Sequence, residues 1–457
     1  MYAKIFYDKG TILIMGDLAI PSSSWDSRAR AYRAMALFYR DIIEYLKRSN
    51  VNYVDDALEL LPTPYLQCKV KLKNFQHEAL KAWLDAGKRG IVVLPTGSGK
   101  TVIAVAAISE LKTPTIVIVP TLDLVEQWQR VLTSEFNVEI GVYGGGENVL
   151  QPITVSTYDS AYLRAGELGN RFGLIIFDEV HHLPSTGFRH IAEMFAAPYR
   201  MGLTATYERQ DGLHNDLPRL VGGKVYELSV EHLAGRHLSE YELEKLYVDL
   251  TRGEKEEYER LYKTFTDYLV KCNIILRTPH DFTKFIMRSG RDQKARQALL
   301  ARSKALDIAL NSQKKLDALE NILLDQPTEP TIIFTQHNKL VHRIAQRFLI
   351  PYITHVTPKD ERKEILDNFR EGKYRLIVTS KVLDEGVDVP DATQAIILSG
   401  TGSTREFIQR LGRILRKREG KKAKLIEIVT RNTAEMKMSS RRKQTRRDDA
   451  SIESIDY

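Results

Sequence analysis

Between residues 90 and 206 the chain breaks repeatedly into short apolar runs, GIVVLP, TIVIVP, ITVSTY, GLIIFD and MGLTAT, separated by stretches with helical spacing. A run that is apolar at almost every position has no face to offer water, so it must be a strand covered on both sides. Such strands alternating with helices make a mostly parallel sheet with helices on both faces. A second series, TIIFTQ, YITHV, YRLIVTS, AIILSG and KLIEIVT, fills residues 331 to 430. Two α/β lobes are therefore expected, which suits a chain of 457 residues, too long for one core. Between the two series, from about 253 to 311, strand signals give way to a basic, helix-rich insert.

Ahead of the lobes, residues 1–65 read as a small α+β unit. The segment AKIFYDKGTILIM places two strands around an Asp8-Lys9-Gly10 turn. A helix is expected after Ser22 to Ser24, with Tyr32, Met35, Phe38, Ile42, Tyr45 and Leu46 on one face. The expected divisions are 1–65, 66–230 for the first lobe, 231–430 for the second with its insert, and 431–457 for a polar tail carrying RRKQTRR, Arg441 to Arg447.

Composition narrows the function classes. A net charge of +8 with a pI near 9.1 suggests a polyanionic partner. No apolar run approaches the roughly 20 residues that span a bilayer, and the start MYAKIFYDKG is charged, so a cytoplasmic protein without membrane contact is expected. Two cysteines, Cys68 and Cys272, are too few for a disulfide framework or a cysteine-based zinc site.

The first apolar run continues into IVVLPTGSGKT. A strand entering Gly97-Ser98-Gly99-Lys100-Thr101 and then a helix turns backbone N–H groups and the positive helix end toward phosphates. Lys100 would neutralise the terminal phosphates and the Thr101 hydroxyl would meet magnesium. The full pattern asks for glycine at position 94, where this chain has Leu94. Further on, LIIFDEVHHL ends a buried strand in Asp178 and Glu179. That is where an ATPase holds magnesium through the aspartate and leaves the glutamate to polarise a water. Zinc is disfavoured, because two zinc-binding histidines on a helix need a four-residue spacing and His181 and His182 are adjacent. His181 is expected to link the nucleotide site to the strand that follows.

Taken in order, PTGSGKT, FDEVHH, LTAT, EGVDVP and QRLGRILR resemble a superfamily 2 helicase core of the DExH kind. Closer matches, NFQHEAL, ITVSTYDSAY, DEVHHLPS and LTATYERQDG with the basic insert, resemble the XPB family in its compact archaeal form. The resemblance implies two RecA-like lobes, a thumb-like helical insert and a small N-terminal domain similar to a damage-recognition domain. It implies an ATP- and Mg2+-dependent DNA helicase or translocase of 3'–5' direction, acting in nucleotide excision repair or transcription-linked repair. An RNA helicase, or a DNA translocase without strand separation, are the alternatives.

Site residues follow from the resemblance, position by position. Gln76 would read the adenine edge. Pro95, Thr96, Gly97, Ser98, Gly99, Lys100 and Thr101 would form the phosphate loop, with Asp178 and Glu179 serving magnesium and water. Gln409, Arg413 and Arg416 would close over the γ-phosphate, and Gly386 and Asp388 would lie near ribose and phosphate. Thr121, Thr157 and Thr379, each just after a strand, would grip the sugar-phosphate backbone of single-stranded and forked duplex DNA. Lys284, Arg288 and Arg291, with Lys294 and Arg296, would be the insert's DNA contacts. A charged Arg-Glu-Asp triplet typical of the family is Arg209, Gln210 and Asp211 here, a departure that bears on duplex opening. A nuclease partner is also implied, docking on an insert rich in tyrosine, Tyr258, Tyr262 and Tyr268.

Overall fold

The computed structural model describes residues 2–16, 18–209, 211–233, 240–325, 329–380, 392–399 and 422–440. The chain divides into two compact units, Met1–Val230 and Glu231–Tyr457.

In the first unit, β1 (Tyr2–Asp8) and β2 (Thr11–Met15) pair antiparallel across a turn in which Gly10 has φ +94°. The chain then departs from the sequence expectation. The region expected to open a helix after Ser24 is instead a hairpin of β3 (Ser23–Asp26) and β4 (Ala31–Met35). Helix α1 begins only at Tyr39 and runs to Arg48. The local cause is Asp26, whose carboxylate accepts the backbone N–H groups of Arg28 at 3.0 Å and Ala29 at 3.4 Å and the Nε of Arg33 at 2.9 Å. This closes an Asx-type turn that a helix cannot contain. Tyr32 and Met35, three residues apart, share a helix face but point to opposite sides of a strand. With β5 (Asn52–Asp56) the sheet has the order β3-β4-β2-β1-β5.

The same unit continues with α2 (Asn74–Asp85), β6 (Arg89–Val93), α3 (Lys100–Leu111), β7 (Thr115–Val119) and α4 (Leu122–Phe136). Next come β8 (Gly141–Gly144), β9 (Glu147–Asn148), β10 (Ile153–Thr157), α5 (Tyr158–Leu168) and β11 (Leu174–Asp178). It closes with α6 (Arg189–Met194), β12 (Tyr199–Thr204), α7 (Leu217–Leu220) and β13 (Lys224–Glu227), and a short α8 (Val230–Leu233) follows. The sheet order is β13-β6-β12-β11-β7-β10-β8-β9, parallel except for the edge pair β8 and β9. Strands β7, β10 and β11 are buried at every position, as their uninterrupted apolar runs require. The N-terminal sheet is fastened to this layer. The buried Tyr7 hydroxyl lies 3.0 Å from the carbonyl oxygens of both Ala165 and Met194, and Ala196 completes the small domain's core.

The second unit is a parallel sheet ordered β14-β19-β18-β15-β17-β16. Its elements are β14 (Glu240–Val248), α9 (Arg252–Lys271), α10 (Pro279–Ser289), α11 (Gln293–Leu310), α12 (Gln313–Asp325) and β15 (Thr331–Phe334). They continue with α13 (Asn338–Phe348), β16 (Tyr352–Ile353), α14 (Lys359–Arg370), β17 (Leu376–Thr379), β18 (Gln394–Ile397) and β19 (Lys422–Thr430). The edge strand β14, with its charged alternation YELEKLYV, was not expected from sequence. Helices α9 to α11 form the insert, packed along alanines 295, 298, 301, 305 and 309 of α11. No described helix is long and apolar enough to cross a membrane.

Candidate functional site

Parallel sheets present their loops at the carboxyl ends of the strands, and ligands collect there. In the first unit this edge gathers the end of β6, then β12, then β11 as neighbours. After β6 the chain enters the phosphate loop, where Gly97 at φ +82° and Gly99 at φ +87° take conformations that favour glycine. Gly99 is also the N-terminal cap of α3, so the first helical N–H groups are left to face a ligand. Leu94 explains the departure from the glycine pattern. Its side chain is wholly buried, its N–H bonds to the Thr204 carbonyl at 3.0 Å, and its own carbonyl accepts the Lys100 ammonium at 3.1 Å. Position 94 is thus the end of a strand rather than the start of the turn.

Asp178 ends β11 and is 8% exposed. Burial pushes its carboxyl above the ordinary value, against the opposing pull of a Trp128 hydrogen bond and the Lys100 charge. Glu179 follows in the left-handed region at φ +48°, a conformation costly for a side chain of its size, and its Oε2 is buried with no hydrogen-bond partner. His181 bridges onward as expected. Its Nδ1 lies 3.4 Å from Glu179 Oε2 and 3.0 Å from the hydroxyl of the buried Thr204 in LTAT. Among the described residues no cluster of three or more His, Cys, Asp or Glu could hold a metal on its own, which agrees with the argument against zinc.

Gln76 differs from the open adenine-reading carboxamide that was expected. It is 3% exposed, its nitrogen donates to the Ser98 carbonyl at 2.9 Å, and its oxygen accepts the Lys73 N–H at 2.9 Å. In this conformation it braces the phosphate loop.

The threonines split. Thr121 and Thr157 are the N-terminal caps of α4 and α5, accepting the N–H groups of Leu124 at 3.3 Å and Ser160 at 3.2 Å. Thr379 is wholly buried and donates to the Ser380 carbonyl at 3.1 Å, so its hydroxyl is not presented to a strand of DNA. Arg209 is turned into the fold, donating to the His181 carbonyl, with Asp211 bracing its guanidinium through Nε at 2.9 Å. That pairing pulls the Asp211 carboxyl down to about 2.

On the insert, Lys284, Arg288, Arg291, Lys294 and Arg296 are all exposed. The tyrosines are not. Tyr258 and Tyr268 are buried, Tyr258 accepts the Ala434 N–H at 2.8 Å, Tyr268 donates to Asp292 at 2.6 Å, and Tyr262 stacks on Tyr258. They form an internal helix seam, which corrects the expectation that they are a docking surface. Gln210, Gly386, Asp388, Gln409, Arg413, Arg416 and the tail from Arg441 to Arg447 lie outside the described residues.

Sequence reasoning missed Trp128 and Tyr158. Trp128 Nε1 donates to Asp178 Oδ2 at 2.8 Å and the Tyr158 hydroxyl donates to the Asp178 carbonyl at 3.1 Å. The only signal was an aromatic on each of the helices that follow Thr121 and Thr157.

Comparison with known proteins agrees with this arrangement. Residues 5–57 match the family model of the xeroderma pigmentosum group B helicase damage recognition domain. Residues 69–209 match the type III restriction enzyme res subunit, and 314–418 the helicase conserved C-terminal domain. The chain is 49% identical over 438 residues to the DNA 3'-5' translocase XPB2 of Sulfurisphaera tokodaii, covering 96% of this chain and 99% of that protein. It is 30% identical to a putative DNA 3'-5' helicase Rad25 of Haloarcula marismortui, covering 83% of this chain and 55% of the other. The crystal structure of the Pyrococcus furiosus Hef helicase domain shares the fold, with a TM-score of 0.52 at 19% identity over 81% of this chain and 97% of that one.

Proposed function

The chain belongs to the XPB family of superfamily 2 helicases, and we propose that the carboxyl edge of its first sheet turns over ATP to drive 3'–5' movement on DNA in repair. The observation that carries this reading is the convergence on one edge of a glycine-formed phosphate loop, the buried Asp178 and the strained Glu179 with an unbonded oxygen. Lys100, held by two carbonyls at the loop's start, is placed to exchange them for phosphate oxygens. Glu179 would orient the attacking water and take its proton, while His181 relays the state of Glu179 to Thr204 and, through its own carbonyl, to Arg209.

The residues fit magnesium, a hard cation satisfied by one carboxylate, a hydroxyl, phosphate oxygens and water. Asp178 and Thr101 would hold it, and when bound it would neutralise charge on the β- and γ-phosphates. The remaining phosphate and ribose contacts, Gln409, Arg413, Arg416, Gly386 and Asp388, rest on the family resemblance. The caps Thr121 and Thr157, with the exposed Lys284, Arg288 and Arg291, would meet the DNA backbone without reading bases. A nuclease partner would have to dock elsewhere than on Tyr258, Tyr262 and Tyr268.

ATP hydrolysis measured without nucleic acid and with single-stranded DNA, duplex DNA and RNA tests the reading. Stimulation by DNA well above RNA is expected, and equal or greater stimulation by RNA would replace it with an RNA helicase. Arg209, braced inward beside the neutral Gln210, favours strong translocation with weak strand separation. Gln210→Glu should then unwind forked duplex faster at unchanged ATPase, both measured at one salt concentration, and equal unwinding would sink that part.

A further inference from the structure

Asp178 is held from behind by two aromatic side chains that the proposed chemistry does not use. The Trp128 indole donates to one carboxylate oxygen at 2.8 Å and the Glu179 N–H to the other at 3.0 Å, while the Tyr158 hydroxyl holds the Asp178 carbonyl at 3.1 Å. Trp128 is 1% exposed and Tyr158 is 1% exposed, so these bonds form where water does not compete. Each aromatic sits on a different helix, and each helix is capped by one of the threonines proposed to meet DNA: Trp128 on α4 behind Thr121, Tyr158 on α5 behind Thr157. Trp128 lies seven residues after Thr121, two turns along a rigid helix whose buried face also carries Val125, Leu132 and Phe136.

We propose that Trp128 is a positioning residue that sets Asp178 for magnesium, and that Trp128 and Tyr158 carry the displacement of the two DNA-facing helices to that carboxylate. This rests on the reading of Asp178 as the metal-holding group and of α4 and α5 as DNA-facing. Asp178 keeps free lone pairs for the cation, because Trp128 and Glu179 each take only one. A small shift of α4 therefore moves the carboxylate directly, whereas the phosphate loop has its own brace in Gln76. Partners behind a metal-holding group are worth about 10- to 100-fold in metal affinity where they have been removed from other proteins.

The molecule supplies its own control. Trp83 is also wholly buried and its indole also donates to a backbone carbonyl, that of Arg200 at 2.9 Å, away from Asp178. The test compares Trp128→Phe, Tyr158→Phe, Trp83→Phe and Asp178→Asn in the full chain. A fluorescent ATP analogue is titrated with magnesium and with EDTA, and DNA affinity is measured with and without the magnesium-bound analogue. In Trp128→Phe, affinity in EDTA should stay within twofold of wild type while the gain on adding magnesium falls about tenfold or more. The nucleotide-dependent change in DNA affinity should fall with it, since coupling is reciprocal. Tyr158→Phe should lower that coupling with a smaller loss of the magnesium gain, and Trp83→Phe should change neither. A full magnesium gain and full coupling in folded Trp128→Phe overturns the proposal, as does an equal loss in Trp83→Phe, which would mean general loosening. If Asp178→Asn itself keeps the magnesium gain, the underlying site reading has failed instead.

Discussion

At the carboxyl edge of the first sheet, polar groups are held in positions the chain itself does not complete, whereas in the α9–α11 insert of the second unit they close on their neighbours. At the edge, Glu179 sits at φ +48° with a buried oxygen that has no hydrogen-bond partner, the Thr96 hydroxyl is in the same condition, and Asp178 is pushed toward its neutral form by burial. In the insert, Thr251 and Glu254 form a capping box, Thr278 and Asp281 another, and Asp292 accepts the N–H groups of Lys294 and Ala295 and the Tyr268 hydroxyl. Both regions are well packed, so packing does not separate them. What separates them is where satisfaction comes from, and unmet, strained polarity marks the place a ligand would complete.

If that contrast is right, substitutions in the two regions should part chemistry from stability. The largest effect is expected at Lys100→Ala. Loss of one charge on the transferring phosphoryl group should lower DNA-stimulated hydrolysis by about 10²- to 10³-fold or more, with DNA affinity within a few-fold and an unchanged first thermal transition. Substantial residual hydrolysis in that variant would remove the site from this edge.

Phe285→Ala probes the other region. Phe285 is 2% exposed and meets Phe265, Tyr268 and Phe282 in the insert. Its truncation should destabilise the insert by about 3–5 kcal/mol, read as faster hydrogen exchange in α9 to α11, while ATP binding stays within twofold. Loss of ATP binding would mean the regions are not separable in this way.

The smallest effect concerns pH at Asp211, which sharpens the boundary between them. Its folded value, about 2, lies below the ordinary 3.8 because of the Arg209 pair. A lowered carboxylate value stabilises the fold above the unfolded value, and that stabilisation is lost as pH falls through the folded one. The Arg209–Asp211 brace should thus be intact throughout the neutral range and open only toward pH 2. Because Asp211 is substantially exposed, solvent keeps its contribution small. NMR titration of the Asp211 carboxyl checks this, and a midpoint near 4 would show the brace is not formed in solution.

The two regions also differ in how far the sequence revealed them. The phosphate loop, the Asp178-Glu179 strand end and both sheets were legible because runs such as TIVIV and LIIFD leave no exposed face, and glycine at 97 and 99 answers a backbone need. The helical character of 253–311 was legible too, from its spacing. The Ser23–Met35 hairpin was not, because Tyr32, Met35 and Phe38 fit a helical period and the deciding contact, Asp26 with Arg33, joins residues on two strands. The tyrosines of the insert showed type but not direction, since an aromatic at helical spacing reads the same whether it faces water or α11. Gln76 and Trp128 lay beyond sequence reasoning for a related reason: each acts on a group 22 or 50 residues away.

The most direct test of the account is Glu179→Gln, which keeps size and position and removes the base. Magnesium-dependent ATP binding, through Asp178, should stay within a few-fold of wild type. Single-turnover hydrolysis should drop by about 10²-fold or more, the lower end of what a positioned base supplies, leaving a stable ATP-bound form that holds DNA tightly. Hydrolysis near the wild-type rate, or loss of ATP binding in the folded variant, would contradict the assignment of this edge as the catalytic one.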